Sequence, residues 1–214
     1  MLGAYVFAQK DVTKFLGIPV DGTKTEMVQK LEAKGFKYDN TYDWLEGEFN
    51  GREVFLSIVT NNNKVWRVMV QDRWPMDEAD IKIRFNNLCR QFAKNEKYLC
   101  LNKEPEIDEN EDIRYEMMVN HKRYQSSYVQ LQVPLSELLA EEIIRILSET
   151  DFDKDTVDSL FDSKKEEVVQ QCIDYITEKC LKKSVWFMID KKGGEYKILM
   201  YYDNEYNHAD GEDL

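Results

Sequence analysis

The sequence predicts an α+β fold, with a mostly antiparallel sheet built from hairpins and about four helices packed on it. Three observations predict this class: a capped helix near the start of the chain, tight Asn-Gly and Gly-Gly turns, and three later stretches with helical apolar spacing. The predicted order is helix, strands, helix, strands, two helices and strands. Separate runs of helices and strands are typical of the α+β class.

The first helix is predicted to run from Thr23 to about Lys34. Thr23 and Glu26 form a capping box, because the hydroxyl accepts from a first-turn amide while the carboxylate accepts from the amide of Thr23. Gly35 follows at a position where a left-handed residue commonly ends a helix. The apolar stripe of this helix consists of Met27, Val28 and Leu31. The segment therefore predicts a helix docked on a sheet.

A turn precedes this helix and a strand follows it. The turn residues are Pro19, Asp21 and Gly22. We expect the turn to deliver Phe15, Leu16 and Ile18 onto the core. Phe36 and Tyr38 then open a strand.

Hairpins come next, with strands predicted at residues 44–49, 52–60 and 65–71. Asn50 and Gly51 favour the positive φ angles of a type I′ turn, and the three asparagines at 61–63 favour a second one. A helix is then predicted over residues 77–94. Its apolar stripe consists of Ile81, Phe85, Leu88, Cys89 and Phe92.

Alternating apolar residues predict a further hairpin, with strands at 113–120 and 127–133 and a turn near residues 121–125. Two helices follow. The stripe of the third consists of Leu135, Leu138, Leu139, Ile143, Ile146 and Leu147. Ser163 and Glu166 form a capping box for the fourth, whose stripe consists of Val169, Cys172, Ile173, Ile176 and Cys180. A last hairpin pairs residues 185–189 with 196–202.

The domain organisation predicted is a segment at 1–9, a single α+β domain at 10–207 and a polar tail at 208–214. The domain could also consist of two intimate halves that divide near 101–112. Residues 2–8 are apolar and end in a small residue, as the end of a signal peptide does, or they form a short first strand. We expect export to the periplasm or the medium. No run approaches about 18 apolar residues, so no transmembrane segment is predicted.

The formal net charge of −12 opposes extended contact with phosphate backbones, so nucleic acid is not an expected partner. The four cysteines would be free to pair in an oxidising compartment. Cys172 and Cys180 are about 12 Å apart along one predicted helix, too far for a disulfide, and are expected in the core. Cys89 and Cys100 have a geometrically allowed pairing across a helix-to-strand turn.

The segment from Phe15 to Phe36, together with Tyr202-Asp203-Asn204 and the terminal Gly211-Glu212-Asp213-Leu214, resembles small, exported, uncharacterised proteins of gut anaerobes. That resemblance implies no activity. The helix followed by hairpin strands is also similar to the fold of the β-lactamase inhibitor protein and of small outer-membrane-assembly lipoproteins. This second resemblance implies binding of another protein through a concave sheet. The acylated cysteine of the lipoproteins has no counterpart near residue 1.

Most catalytic chemistry has no motif here. The chain has no Gly-rich dinucleotide turn, phosphate loop or G-x-S-x-G, so we predict no cofactor. His121 and His208 lie in a predicted turn and in the polar tail, where solvated histidines are common. A partial calcium loop is formed by Asp151, Asp153, Asp155 and Asp162. Thr156 stands where that loop needs glycine, so we predict a solvated acidic connection and no metal site.

An acidic group at Glu109, Glu111 and Asp112 leaves one enzymatic alternative open, a hydrolase that uses carboxylates in a cleft. Such an enzyme would need two carboxyl groups held about 5 to 10 Å apart.

The function favoured by the sequence is non-enzymatic binding of a protein or glycan. The alternation places Trp66 on one strand face with Val68 and Val70, and Val65 with Met69 on the other. Residues 185–189 are likewise apolar on both faces. Either helices cover both faces of the sheet, or one face is a recognition surface, because rigid aromatic side chains are favoured at such surfaces. The predicted binding residues are Trp66, Trp186, Met188 and Tyr201.

Overall fold

A computed structural model describes residues 11–149 and 165–209. Its elements are β1 (Lys14–Phe15), β2 (Ile18–Pro19), α1 (Lys24–Glu32), β3 (Lys37–Asp39), β4 (Trp44–Phe49), β5 (Arg52–Asn61), β6 (Lys64–Asp72), α2 (Glu78–Ala93), β7 (Tyr98–Cys100), α3 (Ile113–Val119), β8 (Gln125–Gln130), α4 (Leu135–Glu149), α5 (Lys165–Cys180), β9 (Ser184–Lys192) and β10 (Glu195–Asp203), followed by a 3-10 turn at Glu205–Asn207. The predicted α+β class is confirmed.

Eight strands form one antiparallel sheet in the order β3-β4-β5-β6-β10-β9-β8-β7. The β4–β5 and β5–β6 hairpins turn through two residues each, and Asn50 and Gly51 have the positive φ angles of 52° and 71° that the sequence predicted. The last hairpin lies between the two earlier groups of strands, since β10 pairs with β6 and β9 pairs with β8. Strands β3 to β10 therefore share one sheet, and β1 and β2 form a separate two-stranded sheet.

Helices α1 and α2 cover one face of this sheet. The predicted capping box of α1 is present, with the Thr23 amide donating to Glu26 Oε2 at 2.9 Å. Phe85 of α2 contacts Phe187 of β9 at 5.0 Å between ring centroids. The buried strand residues beneath the helices include Leu45, Val54, Leu56, Ile58, Val68, Val70, Val185, Ile189, Ile198 and Met200. We call this side the covered face.

Helices α4 and α5 pack on each other and cover β7 and β8 on the side of the sheet opposite α1 and α2, since Val129 contacts them while the preceding Tyr128 stacks on Phe92 of α2. Their small core contains Val129, Leu131, Leu138 and Cys180, with Leu99 packed against it. The two helices were predicted from their apolar stripes, and both are confirmed. None of the helices in the described parts of the chain combines the length and hydrophobicity that a membrane crossing requires.

The predicted strand at 113–120 is wrong. Residues Ile113–Val119 form helix α3, in which the Asp112 carboxylate accepts from the Tyr115 amide at 2.7 Å. The Ile113 amide donates to Glu78 at the start of α2. These helix-capping contacts stabilise a helix although the apolar residues alternate. Of the alternating apolar residues, only Ile113 is fully buried. The hairpin partner predicted at 127–133 is β8, which pairs with β7 and β9 instead.

Leu16 is also placed differently from the prediction. Phe15 and Ile18 are buried as expected, but Leu16 is 39% exposed because it occupies the two-residue turn of the β1–β2 hairpin. The segment at 1–9, the calcium-like loop at 151–162, Ser163 and residues 210–214 of the tail lie outside the described residues.

All four cysteines are free thiols, so Cys89 and Cys100 are not paired. Cys89 is buried in α2 and its Sγ contacts the Pro105 carbonyl at 3.3 Å. Burial raises the pKa of the Cys89 thiol to about 11 and also raises the pKa of Cys172 and of Cys180. Cys172 and Cys180 are buried on their helix as predicted.

Thiol titration checks this arrangement. At pH 8 we expect Cys100 to react first with Ellman's reagent, because it is partly exposed while the other three thiols are buried and the thiolate is the reactive form. The buried thiols should react only after unfolding, giving four per chain without reductant. Fewer than four in the unfolded protein would show that a disulfide is present.

Gly47 permits a close approach between β4 and the segment that follows α1. A Cβ at this position would lie 2.5 Å from Cδ1 of the buried Phe36 ring. We expect Gly47→Ala to lower the free energy of unfolding by about 1 to 3 kcal/mol, since overpacking forces the ring or the strand to move. Urea denaturation measures this. Glu48→Ala, at the neighbouring exposed position, is the control and should change stability little; equal effects would contradict the packing argument.

Candidate functional site: an aromatic sheet face

The side of the sheet opposite α1 and α2 carries most of the partly exposed apolar side chains of the strands. Successive strand residues point to opposite faces, so the burial of Phe187 against α2 turns Trp186 and Met188 to the other side. Direct cross-strand pairing then aligns two rows. The first row is Ser127, Trp186, Tyr201, Met69 and Ser57, and the second is Gln125, Met188, Leu199, Gln71 and Phe55. We call this surface the open face.

An arginine organises the aromatic residues at one end of the open face. The Arg67 guanidinium carbon lies 4.2 Å from the ring centroid of Trp66 and 4.7 Å from that of Tyr201. Tyr201 in turn stacks on Trp186, with centroids 4.0 Å apart and planes 20° apart. We call these residues, together with Asp203, the Arg67 cluster. Its rings are held by stacking and cation–π contacts.

Asp203 lies beneath this cluster and fixes the position of the guanidinium. Its two carboxylate oxygens accept from Nε and Nη2 of Arg67, each at 2.6 Å. The second oxygen also accepts from the Trp186 indole N–H at 2.9 Å. The Asp203 side chain is only 2% exposed, and a buried carboxylate needs such a paired and hydrogen-bonded cation. Burial, more than its charged neighbours, raises the pKa of Tyr201, so its phenol stays neutral.

A second aromatic group lies at the other end of the open face. Trp44 is flanked by Tyr42 at 4.8 Å and Phe55 at 4.5 Å between ring centroids. The Arg73 guanidinium carbon lies 5.4 Å from the Phe55 centroid and 5.3 Å from that of Trp74. The acidic partners at this end are Glu46, which accepts from Arg73 and Trp44, and Glu53, which accepts from Trp74. All four tryptophans of the chain thus lie on or beside one face.

The structure brings together the four predicted binding residues, although one of the arguments for them was wrong. Trp186, Met188 and Tyr201 occupy adjacent positions of the open face, and Trp66 joins them through Arg67. Trp66 does not share a face with Val68 and Val70, which are buried. It is the extra residue of a β-bulge, since Val59 pairs with Arg67 and Thr60 pairs with Val65.

Sequence reasoning missed Arg67, Asp203, Trp44, Phe55 and Trp74 as members of this surface. The only local signal was the Trp-Arg pair at 66–67, next to the Asp of the Tyr-Asp-Asn segment in the paired strand. The bulge inserts one residue into β6, so the alternation on one side of it does not predict which face the residues on the other side occupy. The pairing register of β6 with β10 shows that Arg67 lies opposite Asp203.

Stacking leaves few ring faces of these aromatics available to a ligand. Trp186 is covered by Tyr201, Trp44 lies between two rings, and Trp66 has Arg67 at 4.2 Å and the edge of His208 at 4.6 Å. A pyranose ring binds by lying flat on an open aromatic face. The open face therefore presents mainly ring edges, methionine side chains and aliphatic carbons to a ligand, and few exposed ring faces.

The acidic residues of the enzymatic alternative have separate surroundings. Glu109 is exposed, while Glu111 accepts hydrogen bonds from Lys122 and from the Tyr124 hydroxyl. Burial acts to raise the pKa of Glu111, but these hydrogen bonds hold it below its usual value. Asp112 caps α3. Within residues 11–149 and 165–209, no three His, Cys, Asp or Glu side chains are grouped so as to hold a metal ion.

Comparisons of this chain with models of known protein families, with curated proteins and with solved structures found no match.

The indole N–H of Trp186 should contribute measurably to stability. Trp186→Phe retains a ring to stack on Tyr201 but removes the donor to the buried Asp203 carboxylate, so we expect a loss of about 1 to 2 kcal/mol in the free energy of unfolding. Trp74→Phe is the matched control, because its indole donates to Glu53 at an exposed position. That change should cost less than about 0.5 kcal/mol. Equal losses in urea denaturation would contradict the assigned role of Asp203.

Proposed function

We propose that this chain is a non-enzymatic binding domain that recognises a protein partner through the open face. The observation that carries the proposal is the row of Trp186, Tyr201 and Met69 across three paired strands, held in position by Arg67 and Asp203. Trp186 and Met69 are partly exposed, and Tyr201 between them is 9% exposed. Protein interfaces are enriched in Trp, Tyr, Met and Arg. A surface whose side chains are already immobilised loses less conformational entropy on binding.

A protein partner is favoured over a glycan because the ring faces on this surface are used within the chain. The partner would cover ring edges and the apolar side chains of Met188, Leu199 and Met69 between the two aromatic groups. The resemblance to the β-lactamase inhibitor protein fold, whose members bind proteins with a sheet, agrees with this assignment.

Site-specific photo-crosslinking in the native host tests the proposal. A benzoylphenylalanine at Leu199 lies at the centre of the open face, and one at Lys30 lies on the exposed side of α1. We expect the Leu199 probe, and not the Lys30 probe, to form a covalent adduct with a defined protein. Met69→Glu should abolish the adduct without unfolding the domain, because it places an unpaired charge in the interface. No adduct from Leu199, or the same adducts from both positions, would contradict the proposal, as would saturable binding of an oligosaccharide that Met69→Glu abolishes.

Export belongs to the same proposal and is supported by the apolar run at residues 2–8. The intact mass of the protein recovered from its host tests it: a chain cleaved near Gln9 in the periplasm or medium is expected, and an uncleaved chain confined to the cytoplasm would contradict it.

A further inference from the structure

A cavity of 510 Å³ lies on the covered side of the sheet, far from the aromatic rows of the open face. It opens between the β1–β2 hairpin, the C-terminal end of α2 and the edge formed by β7 and β8. Its floor consists of Leu88, Phe92, Met200 and Tyr202, which are otherwise buried in the core. This volume is within the range of small-molecule sites, and the floor residues are between 1% and 8% exposed. We call it the hairpin cavity.

Positive charges outnumber negative charges around the hairpin cavity. Lys14, Lys97 and Lys183 line it, and no acidic residue of the described parts of the chain does so, although the chain carries a net charge of −12. Lys183 is neutralised by Asp11 at 2.5 Å, which leaves the two charges of Lys14 and Lys97. The C-terminus of α2 contributes about half a negative charge. The positive charges therefore prevail, and the rim favours an anion.

The turn of the β1–β2 hairpin supplies an independent observation. Leu16 and Gly17 both have positive φ, 52° and 80°, and both line the cavity. A left-handed conformation costs a residue such as leucine roughly 1 to 2 kcal/mol. The other two-residue hairpin turns within the described residues use asparagine or glycine, at Asn50–Gly51, Asn62–Asn63 and Gly193–Gly194. A leucine in this unfavourable conformation, exposed at the lip of a cavity, favours a functional role for its side chain.

One side chain joins the hairpin to β8 at the cavity wall. The Gln130 amide group accepts from the Lys14 backbone N–H at 2.7 Å and donates to the Lys14 carbonyl at 2.9 Å. It also donates to the Tyr98 hydroxyl at 3.1 Å. The position of Lys14 at the rim, next to Leu16, is therefore fixed by β8.

From these observations we propose that the hairpin cavity binds an amphipathic carboxylate, with a hydrocarbon chain on the apolar floor beneath Leu16 and its anionic head between Lys14 and Lys97. The proposal does not depend on the function of the open face. Binding is non-covalent, and the cationic rim distinguishes this class from neutral compounds of equal length.

Calorimetric titration with octanoate tests this proposal, with 1-octanol as a neutral ligand of the same chain length. We expect saturable octanoate binding at about 1 mM or tighter and binding of 1-octanol at least about threefold weaker, despite its greater hydrophobicity. Raising the salt concentration should weaken octanoate binding, since the rim lysines are exposed. Met69→Glu, on the opposite face, should leave it unchanged.

Two variants separate ligand binding from folding. Leu16→Asn introduces a residue that favours the left-handed turn, so the melting temperature should stay the same or rise. Octanoate binding should weaken at least about threefold, because the apolar side chain of Leu16 is lost. Lys14→Gln with Lys97→Gln should weaken octanoate binding, and not octanol binding, by a similar factor. The proposal is overturned if titration with octanoate up to about 10 mM gives no saturable heat. Any binding would then have a lower affinity than the proposal requires. It is equally overturned if octanol binds as tightly as octanoate, or if both variants bind octanoate like the unaltered protein.

Discussion

The pairing of β10 with β6 is the constraint on which the rest of this structure depends. It joins the C-terminal hairpin to the strands that follow α1, so that Tyr201 lies opposite Met69 and Asp203 opposite Arg67. A shift of one residue would exchange the two faces of β10. The bidentate contact between Arg67 and Asp203 opposes such a shift, because it would leave two charges without partners beneath the aromatic rings.

Several contacts at the end of β10 reinforce this register. The Thr13 hydroxyl donates to the Asp203 carbonyl, and the Asn204 amide N–H donates to the Trp66 carbonyl at 2.7 Å. The Asn204 side chain donates to the Val20 carbonyl, also at 2.7 Å. The segment before α1, the bulge of β6 and the end of β10 are thus joined at one place. Alternation along β10 then divides its residues: Met200 and Tyr202 form the floor of the hairpin cavity, and Leu199 and Tyr201 belong to the open face.

Local chemistry made part of the fold predictable. The capping box of α1, the Asn-Gly turn and the apolar stripes of α2, α4 and α5 are complete within a few residues, so each could be identified without knowledge of the partner strands. Predictions from alternation were wrong where helix capping or a β-bulge determined the local structure. Residues Ile113–Val119 alternate but form a helix, because the Asp112 side chain and Glu78 of another helix satisfy its first amides. At Trp66 an inserted residue changed the face of every position before it.

The candidate site was predictable only in part, for the same reason. Aromatic abundance pointed to Trp186 and Tyr201, but the contacts that make them a surface depend on Arg67 and Asp203, which are 136 residues apart. No local pattern specifies such a pair. A double-mutant cycle on Arg67→Met and Asp203→Asn tests the central claim most directly, by comparing the unfolding free energies of the single and double variants. A coupling energy of about 1 to 3 kcal/mol is expected for a partly buried bidentate pair, whereas additive effects within about 0.5 kcal/mol would contradict the claim that this pair holds the β6–β10 register.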